Sequence, residues 1–292
     1  MDAFLQIIIS GATLGSMYAI GAVGLAMVWG SLGMLNMSHG ALLSLGAYAS
    51  FTVMDTLAIH WAIGLPLTLL VSGLCGLALY LFVVKWMYQA RAFDINVVIA
   101  TVGIAILVEN GLIQAYSAYP KRQPLSLDGG FLLGNVVLPY QTLLIAGISL
   151  VLVWLIWRFL EVTPTGRSIR ATAQNRDAAQ LMGVSVGRVF AQVMILAGIL
   201  AGISGIMVTS IIPMSPTVGY DPMIKAFIVC AVAGLGSMRG TVLVAFAMGL
   251  AEALVQYLIG SRYGFPAMLL TVILVLIWRP YGVFGRQTIQ RV

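Results

Sequence analysis

The sequence has very little charge: Asp, Glu, Lys and Arg make up 8% of 292 residues, against about 25% in a typical soluble domain. That is too little polar surface to solvate a globule of this size. It excludes a cytosolic enzyme, a disordered chain and a disulfide-stapled secreted scaffold. Cysteine is nearly absent. Cys75 and Cys230 both lie inside apolar runs and read as small packing residues. Metal-ligand spacing is missing, and so is any nucleophile–base pair. The glycines of Gly234-Leu235-Gly236 lack the Lys-Ser/Thr that would contact nucleotide phosphates and Mg²⁺. The first apolar run has no basic segment ahead of it and is too long for a signal-peptide core, so no cleavable signal is expected.

What the sequence does have is apolar length. Hydrophobic residues reach 61% and mean hydropathy is +1.03. The runs are long and unbroken, which is the helical membrane signature; a membrane β-barrel would alternate in short segments. The expected fold is all-α: a polytopic transmembrane helical bundle in one domain, residues 1–292, immersed in a lipid bilayer. The net charge of +6 does not point to nucleic acid. Lys and Arg are scattered through connecting segments, where they set topology and anchor headgroups.

About 20 apolar residues cross a hydrocarbon core. On that ruler the candidate spans are Gln6–Gly30, Met37–Met54, Trp61–Val84, Val97–Tyr119, Tyr140–Trp157, Ala191–Ile212, Ile224–Gly234, Thr241–Gly260 and Pro266–Trp278. Eight of the nine read as full spans. The seventh covers roughly 16 Å, about half the core. Its crossing is required by charge parity between the Arg-rich segment 158–188 and the tail with Arg279, Arg286 and Arg291. It is expected either to extend through Pro222–Met238 or to be a broken helix. Counting back puts the N-terminus outside and the C-terminus in the cytoplasm, with Lys121, Arg122, Lys225 and Arg262 as exceptions to the positive-inside rule. The turn-rich stretch Pro120–Pro139, with Pro124, Asp128, Gly129 and Gly130, is the longest outer connection.

The cytoplasmic segment within 158–190 is far longer than the two to eight residues of a plain helix–helix connection. It divides into a helical stretch Gly166–Gln174 and a second, shorter one. Asn175 is a good N-cap for the latter, Asp177 sits in its first turn and Gly183 stops it. Ala178, Ala179, Leu181 and Met182 give this second stretch an apolar surface. A helix so short is unstable alone in water, so it must dock on something.

Asp177-Ala178-Ala179 followed by Gly183 resembles the Glu-Ala-Ala…Gly loop of ABC importer permeases, whose helix sits in a groove of the ATPase subunit. Further matches run in order along nearly the whole chain. They are Asn36-Met37-Ser38-His39-Gly40, Leu45-Gly46-Ala47-Tyr48, Thr163-x-x-Gly166-Arg167-x-x-Arg170-Ala171, Lys225-Ala226-Phe227, Gly234-Leu235-Gly236-Ser237 with Gly240, and Arg279-Pro280-Tyr281-Gly282-Val283-Phe284-Gly285. Jointly they resemble the branched-chain amino acid permeases of the LivH type. The resemblance implies a transport permease rather than an enzyme, set in a bacterial inner membrane. It implies a second permease subunit, either a paralogue or another copy of this chain. It also implies two ABC ATPase subunits that bind ATP and Mg, and an external solute-binding protein; this chain itself would hold no cofactor or metal. Departures at Ala41 and Ala233 leave the solute open among branched-chain amino acids, urea, amides and small organic acids. The competing class is a stand-alone ion-coupled carrier, which would have no need of a docking helix.

Four polar residues are candidates for the solute path. Asn36 and His39, three apart, are expected on one helical face near the inner end of the second span. Glu109 and Glu252 fall near span centres, where a carboxylate costs at least about 2.5 kcal/mol and marks a partner or a function. No basic partner for either is evident. Capping, packing or bundle hydrogen bonds are the competing roles for all four. The small-residue pairs Gly11/Gly15 and Gly198/Gly202 suit close helix packing.

Overall fold

The computed structural model describes residues 2–88, 93–125, 127–133 and 136–285. The tail arginines Arg286 and Arg291 lie outside the described residues. Twelve α-helices carry the fold among those residues. In chain order they are α1 (Asp2–Leu32), α2 (His39–Phe51), α3 (Trp61–Leu79), α4 (Lys85–Met87), α5 (Phe93–Tyr116), α6 (Tyr140–Val162), α7 (Pro164–Gln174), α8 (Arg176–Leu181), α9 (Val186–Thr209), α10 (Tyr220–Ala233), α11 (Met238–Leu258) and α12 (Gly264–Trp278). Wide helical turns at Thr52–Thr56 and Tyr80–Val84 continue α2 and join α3 to α4. A two-stranded hairpin, β1 (Gly130–Leu133) and β2 (Val136–Pro139), is the only sheet among the described residues and pairs Gly130 with Pro139 and Phe131 with Leu138. It forms in the turn-rich stretch before α6.

Seven helices are long and apolar enough to cross a membrane. The chain is therefore a multi-pass helical membrane protein. The sequence marks eight full runs, and the difference is the second. There, the α-helix has only 13 residues before the wide turn begins. The seventh run also differs from expectation. It lengthens backwards to Tyr220 and stops at Ala233, because Gly234 takes φ +96° and turns the chain into α11. It does not continue to Met238.

The core is an α1–α9–α11 centre with α2, α3 and α10 against it. Backbones come close where side chains are smallest. A Cβ on Gly11 would stand 2.8 Å from the Leu250 Cα, and one on Gly15 2.8 Å from the Phe246 Cα, so the small-residue pair of α1 is the seam with α11. Gly198 and Gly202 make the same kind of seam with Ser72 and Gly76 of α3. The outward faces of α5, α6 and α12 are exposed and aliphatic, as lipid-facing surfaces must be when no water is present to solvate polar groups.

The two short helices begin deep in the bundle. After Leu32 the chain turns at Gly33 (φ +64°) and climbs back, so that His39 Nε2 donates to the Gly21 carbonyl at 3.2 Å. Gly21 is eleven residues above the end of α1, roughly 16 Å. On the other side, residues 210–219 fold back from α9, and the Gly219 N–H donates to Ser44 Oγ at 3.1 Å. The starts of α2 and α10 therefore meet inside the protein, with Gly40 against Gly219.

Candidate functional site

At one end of the bundle, α7 and α8 form the expected two-helix segment. Thr163 caps α7 by accepting from the Gly166 N–H at 2.9 Å, and Pro164 occupies the first helical position. The helix thus starts two residues before Gly166; the Thr-Pro pair carried that signal. Asn175 Oδ1 accepts from the Ala178 N–H at 3.0 Å, capping α8, and Gly183 leaves the helix at φ +86°.

The face assignment within α8 is uneven. Ala179 is buried at 5%, anchoring the helix to the protein, while Leu181 and Met182 stand 88% and 85% exposed. Asp177, Ala178 and Gly183 are exposed beside them. This is an apolar knob at the protein surface, held from behind by one alanine. No Cβ contact within 4 Å surrounds Gly183, so its role rests on its backbone conformation alone.

Arg176 holds this helix to the membrane body. Its guanidinium lies 5.7 Å from the Tyr88 ring centroid and 5.5 Å from that of Phe190, and a Cβ on Gly33 would meet its Nη2 at 2.8 Å. It is thus not a plain exposed charge. Arg170 is one, with only a 3.5 Å reach to the Glu161 carbonyl. Arg176→Ala is expected to loosen α8 by about 1–2 kcal/mol, the worth of a partly desolvated cation–π pair. Hydrogen–deuterium exchange of the 176–183 amides should rise severalfold, and unchanged protection would contradict this.

A cavity of about 420 Å³ opens between α1, residues 34–37, α5 and α10. Asn36 and Glu109 line it, with a mostly apolar wall. The structure brings these two candidates together and leaves the other two outside. His39, the first residue of α2, is fully buried against α1 and bonded to Gly21. It does not share a helical face with Asn36, because α2 begins at His39 and Asn36 precedes it. Nor are these residues near a membrane surface, since the climb of residues 33–38 carries both to the depth of α1's middle.

Glu252 has the basic partner that the sequence did not reveal. Lys225 Nζ donates to its Oε1 at 2.9 Å and to Tyr18 Oη at 3.1 Å; Gln256 Nε2 donates to Oε1 at 3.0 Å, and the Tyr18 hydroxyl donates to Oε2. Three donors thus reach this 1% exposed carboxylate, two on Oε1 and one on Oε2. Tyr18, Lys225 and Gln256 line a second cavity of about 730 Å³, which Val137 and Pro139 of the hairpin also line, with Glu252 buried behind them. In the sequence Lys225 stands out as an exception to the positive-inside rule and as the start of Lys225-Ala226-Phe227, with no sign of its partner. Its partners come from α1 and α11, helices whose depth relative to α10 is a tertiary property. Glu161 at the other end pairs with Arg239 at 2.6 Å, tying α6 to the start of α11. No cluster of metal-binding side chains occurs among the described residues.

Residues 7–278 match the family described as branched-chain amino acid transport system, permease component. The chain is 27% identical, over 99% of its length and 98% of the relative's, to the high-affinity branched-chain amino acid transport system permease protein BraD of Pseudomonas aeruginosa. It is 26% identical, at the same coverage, to the permease protein LivH of Escherichia coli. A ribose import permease protein of Haemophilus influenzae is 29% identical over 77% of this chain and 68% of its own.

Proposed function

The chain belongs to the branched-chain amino acid transport permease family and is a permease subunit of an ABC importer; from that premise we propose that its solute is a branched-chain amino acid and that it works with two ATPase subunits, a second permease and an external binding protein. The observation that carries this reading is the apolar knob of α8. Leu181 and Met182 are fully presented on a capped, anchored helix at the same end of the bundle as Arg170 and Arg188, outside the apolar spans. A short helix with two large apolar side chains in water is a surface waiting for a partner's groove. The ATPase subunits supply that groove, and they, not this chain, bind ATP and Mg. Asp177, Ala178, Ala179, Leu181, Met182 and Gly183 form the docking element.

The solute path runs along the cavity lined by Asn36 and Glu109. It is completed by the second permease, a paralogue in the preferred arrangement. In this reading the α7–α8 end faces the cytoplasm of a bacterial inner membrane. The hairpin end and the N-terminus face outward, toward the binding protein. His39 and Glu252 support the path from within the helix packing.

The test is reconstitution in liposomes of the complete complex with its binding protein, measuring uptake of radiolabelled leucine, isoleucine and valine. Uptake that requires ATP, the ATPases and the binding protein together is the expected result. Uptake by this chain alone, driven by an ion gradient, would identify a stand-alone carrier instead.

A further inference from the structure

The larger of the two cavities beside α10 carries charge of both signs. Among the described residues Asp221 and Lys225 line it, and no other acidic or basic side chain does. The smaller cavity has Glu109 alone. On a helix, an acid four residues before a lysine normally closes an ion pair. This one does not. Lys225 Nζ donates instead to Glu252 Oε1 at 2.9 Å and to Tyr18 Oη at 3.1 Å. None of the three ion pairs among the described residues includes Asp221. Asp221 is exposed on the cavity wall. Its place in the first turn of α10 complements the helix end but supplies no counter-ion.

Lys225 is not used up by its partners. An ammonium has three donors, and Glu252 and Tyr18 take two. No third acceptor for it occurs among the described residues, and its side chain keeps 19% of its surface accessible. Asp221 and Lys225 are roughly 6 Å apart along the helix, close enough for one amino-acid head group to touch both. The rest of the wall is divided. Ser10, Thr13 and Gln256 are polar, while Leu14, Met17, Val208, Ile211 and Ile212 make an aliphatic surface. At about 730 Å³ the space is ample for a small organic ligand. An acid, a base and an aliphatic wall together match an aliphatic α-amino acid and no simpler ion.

We propose that Asp221 and Lys225 form a zwitterion-binding site on the hairpin side of α10. Asp221 takes the ammonium, the remaining N–H of Lys225 takes the carboxylate, and the aliphatic side chain lies on Leu14, Met17, Ile211 and Ile212. The proposal rests on the reading of the solute as a branched-chain amino acid. It adds a second station for that solute, across α10 from the cavity of Asn36 and Glu109. Glu252 already shares the Lys225 cation, so the ammonium contact at Asp221 is the stronger of the two. The order of affinity is therefore leucine, then leucinamide, which lacks the carboxylate, then 4-methylpentanoate, which lacks the ammonium.

The experiment uses the full complex without binding protein, in nanodiscs of phosphatidylcholine, whose head group brings no primary ammonium of its own. Isoleucine δ1 methyl groups carry ¹³C. Ile211 and Ile212 report on the larger cavity, Ile106 and Ile224 on the smaller. Leucine should shift the Ile211 and Ile212 methyls. Leucinamide should do so severalfold more weakly, and 4-methylpentanoate at least about tenfold more weakly, the worth of one charge-assisted hydrogen bond. Asp221→Asn, at an exposed position, should weaken leucine and leucinamide at least about tenfold and leave 4-methylpentanoate unchanged. Equal affinity for all three probes, shifts confined to Ile106 and Ile224, or no shift at all would overturn the site. So would undiminished leucine binding in Asp221→Asn. Uptake by the reconstituted complex without these shifts sinks the site and leaves the transport reading; the shifts without uptake do the reverse.

Discussion

Replacing Leu181 and Met182 together by glutamate is expected to lower ATP-driven uptake by at least about a hundredfold, since two central apolar anchors each contribute on the order of 2 kcal/mol to an interface. Nothing inside the chain rests on either side chain, so the membrane domain should purify in normal yield and with normal thermal stability. The loss should appear as failure of the ATPase subunits to co-purify with the variant. Arg170→Glu, at an exposed charge on the neighbouring helix, should cost little by comparison. Full ATPase recovery with the double variant would mean that the partner grips the protein elsewhere and that α8 is a passive connector.

The second large effect is one of stability. Lys225→Met removes the cation from a carboxylate that is 1% exposed. Breaking a buried pair on one side typically costs about 3–5 kcal/mol, because the remaining charge stays buried and uncompensated. Tyr18 and Gln256 still donate to Glu252, which puts the expected loss toward the lower end of that range. Adding Glu252→Gln to Lys225→Met should restore most of it, since a neutral amide can keep the Tyr18 and Gln256 contacts. Denaturant unfolding of the purified chain in detergent reads both variants. If the single variant were as stable as the double, the pair would not be holding α1, α10 and α11 together.

These two cases mark where the sequence was legible. The α7–α8 segment is built from local interactions: Asn175 caps the residue three ahead, and Gly183 ends the helix by its own backbone. Spacing alone reveals such signals; the Thr163-Pro164 start of α7 and the anchoring of Arg176 on Tyr88 and Phe190 went unread. The long helices were equally plain, because apolar length is itself the cause of a span. The depth of α2 and α10 was not readable. Asn36 and His39 look like a pair at a membrane surface until the chain between Gly33 and Ser38 is known to climb back toward Gly21. The Lys225–Glu252–Tyr18 cluster was hidden for a related reason. Its members sit on three helices far apart in sequence, and their level relative to one another is fixed by the glycine seam between α1 and α11 and by the turn at Gly234.

Tyr220, Met223, Ile224 and Phe227 of α10 face the smaller cavity, while Asp221, Pro222 and Lys225 face the larger. At 100° per residue these sets point in nearly opposite directions. A single 14-residue helix is thus the party wall between two chambers. Any sideways step of that wall enlarges one chamber at the expense of the other, so the two cannot be wide at once. The helix is framed at both ends: Gly219 before it donates to Ser44 Oγ, and at its end the Val232 and Ala233 carbonyls accept from the Val283 and Phe284 N–H groups while Gly234 packs against Tyr281, Gly282 and Gly285. The residues after Arg279 are therefore the jamb that fixes where this wall stands, and with it how the space is divided between the two chambers.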